Sequence, residues 1–369
     1  MEVQGIQNFV LNFVSILWEA FPFVVLGALI AGILEEMVPQ QWITKLIPKQ
    51  TFLAIGLGGI LGLVFPMCEC GIVPVMRRLL RKGLPLGTCV SYMLAGPIIN
   101  LIVISSTVAA FASYGQSLAQ EIVFMRVGIG FLVATTTGFI VQILYRKHGN
   151  SLLTKLATPP PLSHQRNLSS ANPSKSSDDK TKTESTGQLV HPAELRAGEK
   201  KNFLDRLGNI SETALHDFVD IMVFLTLGAI LAASAKEMFS PKEVAEICQT
   251  YPTLAIIAMM GLAILLCLCS EADAFVGASF TTLQSSAKLS FLILGPMFDL
   301  KLLLMYTRVF RRKLILTIIV SVISQVFIYM FLYHLIFESK KISQDESTPS
   351  QIKTDSQDRP LVGSQGDKK

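Results

Sequence analysis

Two stretches, LAGPIINLIV at 94–103 and ILGPMFDLKL at 293–302, are versions of one element. Gly96 aligns with Gly295, Pro97 with Pro296 and Asn100 with Asp299. Working outward, LGALIAGILEEMVP at 26–39 pairs with LGAILAASAKEMFSP at 227–241. MCEC at 67–70 falls opposite CSEAD at 269–273, with Glu69 opposite Glu271, and Glu19 falls opposite Asp220. The matches keep one order at offsets near 200, so the chain reads as two similar halves.

The halves are apolar. Hydrophobic residues make up 50% of the chain and charged residues only 16%, against about 25% in a soluble domain. Apolar runs cover 9–34, 51–75, 85–110, 121–145, 214–235, 252–275, 287–307 and 314–337, each long enough for a helix to cross the bilayer. Amides cannot stay unpaired in lipid, and the runs lack the alternation of barrel strands, so helices are expected. The expected fold is an all-α integral membrane protein of about eight transmembrane helices, built as two tandem four-helix repeats. Four spans per half would make the repeats parallel. Pro66, Gly71 and Pro74 interrupt the second run, whose end is a candidate for unwound or re-entrant chain.

The expected division is a first transmembrane repeat at 1–147, a disordered cytoplasmic linker at 148–204, a second repeat at 205–338 and a disordered tail at 339–369. The linker, rich in Ser, Pro, Thr, Lys and Asp, cannot bury a core. No removable signal peptide is expected, since the start lacks a basic n-region and cleavage site. Placing Arg77, Arg78, Arg81, Lys82, Arg146 and Lys147 in the cytoplasm puts the N-terminus inside. The cluster Arg308, Arg311, Arg312 and Lys313 would then face outward, against the same rule.

Several polar groups lie within the apolar runs. PMCECGIVP at 66–74 offers Cys68, Glu69 and Cys70 beside helix breakers. Thiolates bind soft metals and metalloids, and a carboxylate at this depth is costly unless it faces a cavity or a partner. CLCSEADAF at 267–275 offers Cys269, Glu271 and Asp273. Pro97 and Pro296 each delete a helical hydrogen bond, freeing a carbonyl toward a ligand, with Asn100 and Asp299 close to the kinks. Lys301 is a neighbour for an acid, although two residues along one helix is poor pairing geometry. Glu19 and Asp220 are candidates for a proton relay. The bland alternatives are packing residues, helix kinks and acids at the membrane surface. GLGGILG at 56–62 has the spacing of close helix packing.

No Walker loop, dinucleotide fingerprint or HExxH is present, so neither enzyme activity nor a cofactor is expected. The partners expected are the lipid bilayer, a small solute, and a second membrane protein or a second copy of the chain, with no nucleic acid. The leading function is movement of a solute across a membrane, through a cavity lined by Cys68, Glu69, Cys70, Asn100, Glu271, Asp273 and Asp299. The alternatives are a structural subunit of a larger complex and a thiol oxidoreductase using Cys68, Cys70, Cys267 and Cys269.

The stretch FPMCECGIVPVMRRLLRKGLPLGTCVSYMLAGPIINLIV at 65–103 resembles the permease family that includes the ArsP organoarsenical exporters and YraQ-like proteins. CSEADAFVGASF at 269–280 and LGPMFDLKLLLMYTRVFRRK at 294–313 resemble its YcgR-like branch. The resemblance spans both apolar halves but neither the linker nor the tail. It implies a multi-pass permease of the bacterial cytoplasmic membrane, an organoarsenical as one candidate solute beside the soft metal or metalloid that the thiols suggest, and a second membrane protein as partner.

Overall fold

In the computed structural model the described residues are 2–37, 48, 50–64, 67–154, 157, 203–238, 252–281 and 283–338. Most of the linker and all of the tail lie outside them, as do Pro66 and Cys248. The first half contains α1 (Glu2–Met37), α2 (Thr51–Val64), α3 (Glu69–Arg81), α4 (Leu86–Ala95), α5 (Leu101–Phe111) and α6 (Gln116–His148). The second contains α7 (Phe203–Met238), α8 (Pro252–Leu266), α9 (Ser270–Ser279), α10 (Ser285–Met297), α11 (Leu300–Val309) and α12 (Arg312–Tyr333). Among the described residues five stretches are long and apolar enough to cross a membrane: Gln7–Met37, Gln116–His148, Gly208–Ser234, Ser285–Val309 and Arg312–Phe337. Their outer faces carry exposed Trp18, Phe124, Leu316 and Val320, a surface that suits lipid rather than water.

Contacts fix the direction of each helix. Gly58 lies on Thr88 and Gly62 on Gly96, so α2 and α4 run parallel. Gly87 meets Gly138 while Gly130 meets Ile98, so α6 runs against them. Arg146 near the end of α6 bonds Thr51 at the start of α2 at 2.7 Å, and α3 leads through a short turn into α4. The segment α2–α3 therefore enters and leaves at one end of the bundle. At about 1.5 Å per residue, the 14-residue α2 rises only about 21 Å. In the second half, Ser290 bonds the Ile256 carbonyl at 3.4 Å, and Tyr114 bonds the Ala278 carbonyl at 2.6 Å. Hence α8–α9 enters and leaves at the opposite end. The chain breaks of α4–α5 and α10–α11 let each pair continue from one end to the other.

These directions correct three expectations. The second and sixth apolar runs fold back within the bundle, so eight through-going spans are not seen among the described residues. The two halves do not lie parallel: Gly32 packs on Ile210 and Phe21 on Phe218, which makes α1 and α7 antiparallel. Likewise Tyr333 bonds Glu121 at 2.8 Å and Thr137 bonds Ser321 at 3.1 Å, which makes α6 and α12 antiparallel. The basic clusters, expected on opposite sides, share one end. Arg311 donates to the Leu152 carbonyl at 3.0 Å, Arg308 bonds Asp220 at 2.8 Å, and Asp220 also lies 4.0 Å from Arg77. Lys82 reaches the Glu35 carbonyl at 2.9 Å, so α1 ends at this basic end and begins at the far one. The inside N-terminus rested on an even number of spans per half, and that premise fails.

Candidate functional site

Four short helices begin near mid-bundle, each after a break in an apolar run. Cys68 and Cys269 are the N-caps of α3 and α9, while Asn100 and Asp299 are those of α5 and α11. The last two cap alike: Asn100 accepts from the Val103 amide and Asp299 from the Leu302 amide, both at 2.7 Å. A short side chain with an oxygen acceptor satisfies an orphan amide of the first turn, so these two residues start the helices. Each break exposes amide donors and the positive end of a helix dipole to the bundle interior.

Glu69, the first residue of α3 and only 1% exposed, joins the two halves. One carboxylate oxygen accepts from Lys301 Nζ at 2.8 Å and the other from Ser270 Oγ at 3.0 Å. Lys301 also donates to the carbonyls of Cys267 and Leu268, at 3.1 and 3.2 Å, and lies 3.3 Å from Asp299. The poor pairing expected of Asp299 and Lys301 does not apply, because Asp299 stands before α11 as its cap. The principal partner of Lys301 is Glu69, from the other half. An ion pair this deep stays charged only with further hydrogen bonds, and Lys301 has its full set.

Arg126, on α6 and 1% exposed, reaches the same layer. It donates to Thr107 Oγ1 at 2.6 Å and to the Ser270 carbonyl at 3.0 Å. It was missed as a site residue, although a lone arginine inside the run 121–145 was the available signal. One turn beyond Ser270, Asp273 is 2% exposed, and its Oδ2 lacks a hydrogen-bond partner among the described residues. That carboxylate fills the space beside Gly295, where an added Cβ would sit 2.6 Å from Oδ2. The matching glycine of the first half, Gly96, is filled by Ile72 of α3 instead, at 2.4 Å. Each Gly-Pro element thus receives a side chain from its neighbouring hairpin.

The remaining expected residues divide. Glu19 joins the central layer, its Oε1 accepting from Cys269 Sγ at 2.7 Å. Cys68 and Cys70 are buried there, and among the described residues the cysteines are unpaired. Glu271 is half-buried, with Oε2 lacking a hydrogen-bond partner among the described residues. Pro97 is buried in the first break, and Pro296 lies inside the end of α10. Carbonyls at both breaks are taken: Gly96 by Asn100 Nδ2 at 3.3 Å, Met297 by Tyr306 at 3.1 Å. Asp220 lies apart, at the basic end, so Glu19 and Asp220 form no common relay. No group of three His, Cys, Asp or Glu residues is arranged to hold a metal ion among the described residues.

Crossing helices, chain breaks meeting inside the bundle and charges shielded from lipid define a multi-pass membrane protein of the permease class. The chain belongs to the predicted permease family ArsP_1, whose model matches residues 5–335. It is 33% identical over 312 residues to the UPF0718 protein YcgR of Bacillus subtilis, covering 84% of this chain and 92% of the relative. It is 30% identical over 305 residues to a putative two-component membrane permease complex subunit of Streptococcus mutans, covering 82% and 87%. To the UPF0718 protein YraQ of Escherichia coli it is 22% identical over 97 residues, covering 26% and 27%. No solved structure matches the chain.

Proposed function

We propose that this permease moves a small solute through the layer containing Glu69, Lys301, Ser270, Asp273 and Arg126, between two inverted repeats. Residues 1–147 and 205–338 are the repeats, related by an axis in the membrane plane. The observation that carries the reading is the Glu69–Lys301 pair, 2.8 Å across the two halves. Buried charge at this depth is retained where it serves a pathway. Each re-entrant hairpin supplies one short helix to this layer, the arrangement by which transporters form sites from helix ends. With the basic end in the cytoplasm, the positive-inside rule holds for all the Lys/Arg clusters, and the N-terminus lies on the opposite side. Cys68, Cys70 and Cys269 bring thiols to the layer, which favours a soft metal, metalloid or organoarsenical solute.

The test is flux in proteoliposomes, screened over small organic and metalloid solutes. Glu69→Gln keeps the shape and removes the charge, and is expected to lower flux about tenfold or more for any solute carried. Glu271→Gln is expected to lower it less, since that side chain is half-exposed and outside the ion pair. Cys68→Ser and Cys70→Ser should impair only thiol-seeking solutes. Unchanged flux in Glu69→Gln would remove this site from the pathway. The relative described as a two-component complex subunit favours a second membrane protein as partner of this chain as well.

A further inference from the structure

We infer that the seam between α3, α7 and α11 is the solute's route from the central layer to the basic end, and that an ion-pair lock of Arg77, Arg78, Asp217, Asp220 and Arg308 closes it. The inference rests on the permease reading and adds residues which that reading does not use. On α3, Cys70, Val73, Pro74 and Arg77 follow one another on one helix face. On α11, Lys301 is followed at helical spacing by Met305 and Arg308, and on α7 Phe224 and Ile221 lead to Asp220 and Asp217. These faces enclose a pocket of about 30 Å³ between Val73, Pro74, Phe224 and Met305, with the charged residues at its rim. That is room for about two or three water molecules, so the seam is too narrow here for a larger solute.

Every charge in the lock has an opposite partner. Asp217, 1% exposed, accepts from Arg77 through Oδ1, and from Arg78 Nε and Nη2 through Oδ2 at 3.2 and 2.9 Å. Arg78 also lies 3.6 Å from Glu35, and Arg308 bonds Asp220 at 2.8 Å. The lock ties the first-half hairpin to two helices of the second half. Ion pairs gain less on burial than their Coulomb energy suggests, because hydration competes with them. A closure made this way can therefore open into water at small net cost, unlike a seam of interlocked apolar side chains.

Among the described residues the far end lacks such a lock. Counted from the N-caps Cys68 and Cys269, a register that sets Glu69 opposite Ser270 rather than Glu271, Arg77 falls opposite Ala278; counted from Asn100 and Asp299, Arg308 falls opposite Ala109. Counted from Gly27 and Gly228, Asp217 falls opposite Ile16. A pocket of about 430 Å³ opens at that end beside Tyr114 and Ser279, and the ties across it, the bond from Tyr114 to the Ala278 carbonyl and Lys288 over the Tyr114 ring, include no ion pair among the described residues. Asp220 alone has a charged counterpart, Glu19, and that residue bonds Cys269 in the central layer instead, so the charged closure is a property of one face.

Cys70, about two turns inward of the lock along α3, is a built-in reporter. The full-length protein is treated with a membrane-impermeant thiol reagent, in inside-out vesicles and in right-side-out spheroplasts, and Cys70 labelling is followed by peptide mass spectrometry. Asp217→Asn and the milder Asp220→Asn should each raise the labelling rate from the basic side about tenfold or more. The double swap Asp220→Arg with Arg308→Asp should return the rate toward wild type. An unchanged rate in both single variants overturns the lock, and so does an equal rise from both sides, which marks general loosening. Labelling requires no solute, so this outcome is separable from failure of the flux experiment.

Discussion

Lys301→Met is expected to destabilise the protein by about 3–5 kcal/mol, the cost of leaving a buried charge without its partner. Lys301 is 2% exposed and holds Glu69, Asp299 and the carbonyls of Cys267 and Leu268 together. Removing its ammonium leaves Glu69 with Ser270 alone and adds uncompensated negative charge to the layer. Thermal unfolding in detergent measures the effect. The double variant Lys301→Met with Glu69→Gln should recover most of the loss, because the surviving amide carries no charge. Equal loss in single and double variants would mean that Lys301 acts through packing, not through Glu69.

The second large effect is steric. A methyl group on Gly62 would sit 2.5 Å from the Gly96 Cα, and one on Gly27 would sit 2.6 Å from the Gly71 Cα. Both obstacles are backbone, so relief requires a helix to shift. Gly62→Ala should cost at least about 1–3 kcal/mol, the range for overpacking, with part of the loss in the seating of the first hairpin. Gly261, by contrast, has nothing within 4 Å of an added Cβ. Gly261→Ala is therefore expected to be neutral or slightly stabilising, by up to about 1 kcal/mol, through its higher helix propensity. Similar losses in the two variants, measured by the same unfolding assay, would contradict the packing described.

The apolar runs and the breaks within them were legible in the sequence, because hydropathy and helix breakers report directly on lipid exposure and backbone pairing. Asn100 and Asp299 were legible as equivalents, and both are helix caps. The direction of the second and sixth runs was not. A hairpin of two short helices has the same length and composition as one span, and only contacts such as Thr51 with Arg146 separate them. The expected parity of spans followed, and with it the separation of the cluster around Arg308 from the other basic residues, which share its end of the bundle. The partner of Lys301 was hidden for a related reason: Glu69 is 232 residues distant in sequence. Asp220, read by alignment as the partner of Glu19, joined the lock because its surroundings are not those of its counterpart.

The central claim is that two hairpins enter from opposite faces and meet at Glu69 and Lys301. Single cysteines at Ser151, in the turn after α6, and at Thr281, beyond the end of α9, test it most directly. Both positions are exposed. In a background lacking native cysteines, labelling with an impermeant maleimide in intact cells and in inside-out vesicles reports the side of each. Inverted halves require opposite sides: position 151 labelled only in inside-out vesicles, position 281 in intact cells. Labelling of both positions from the same side would mean parallel halves and would contradict the account.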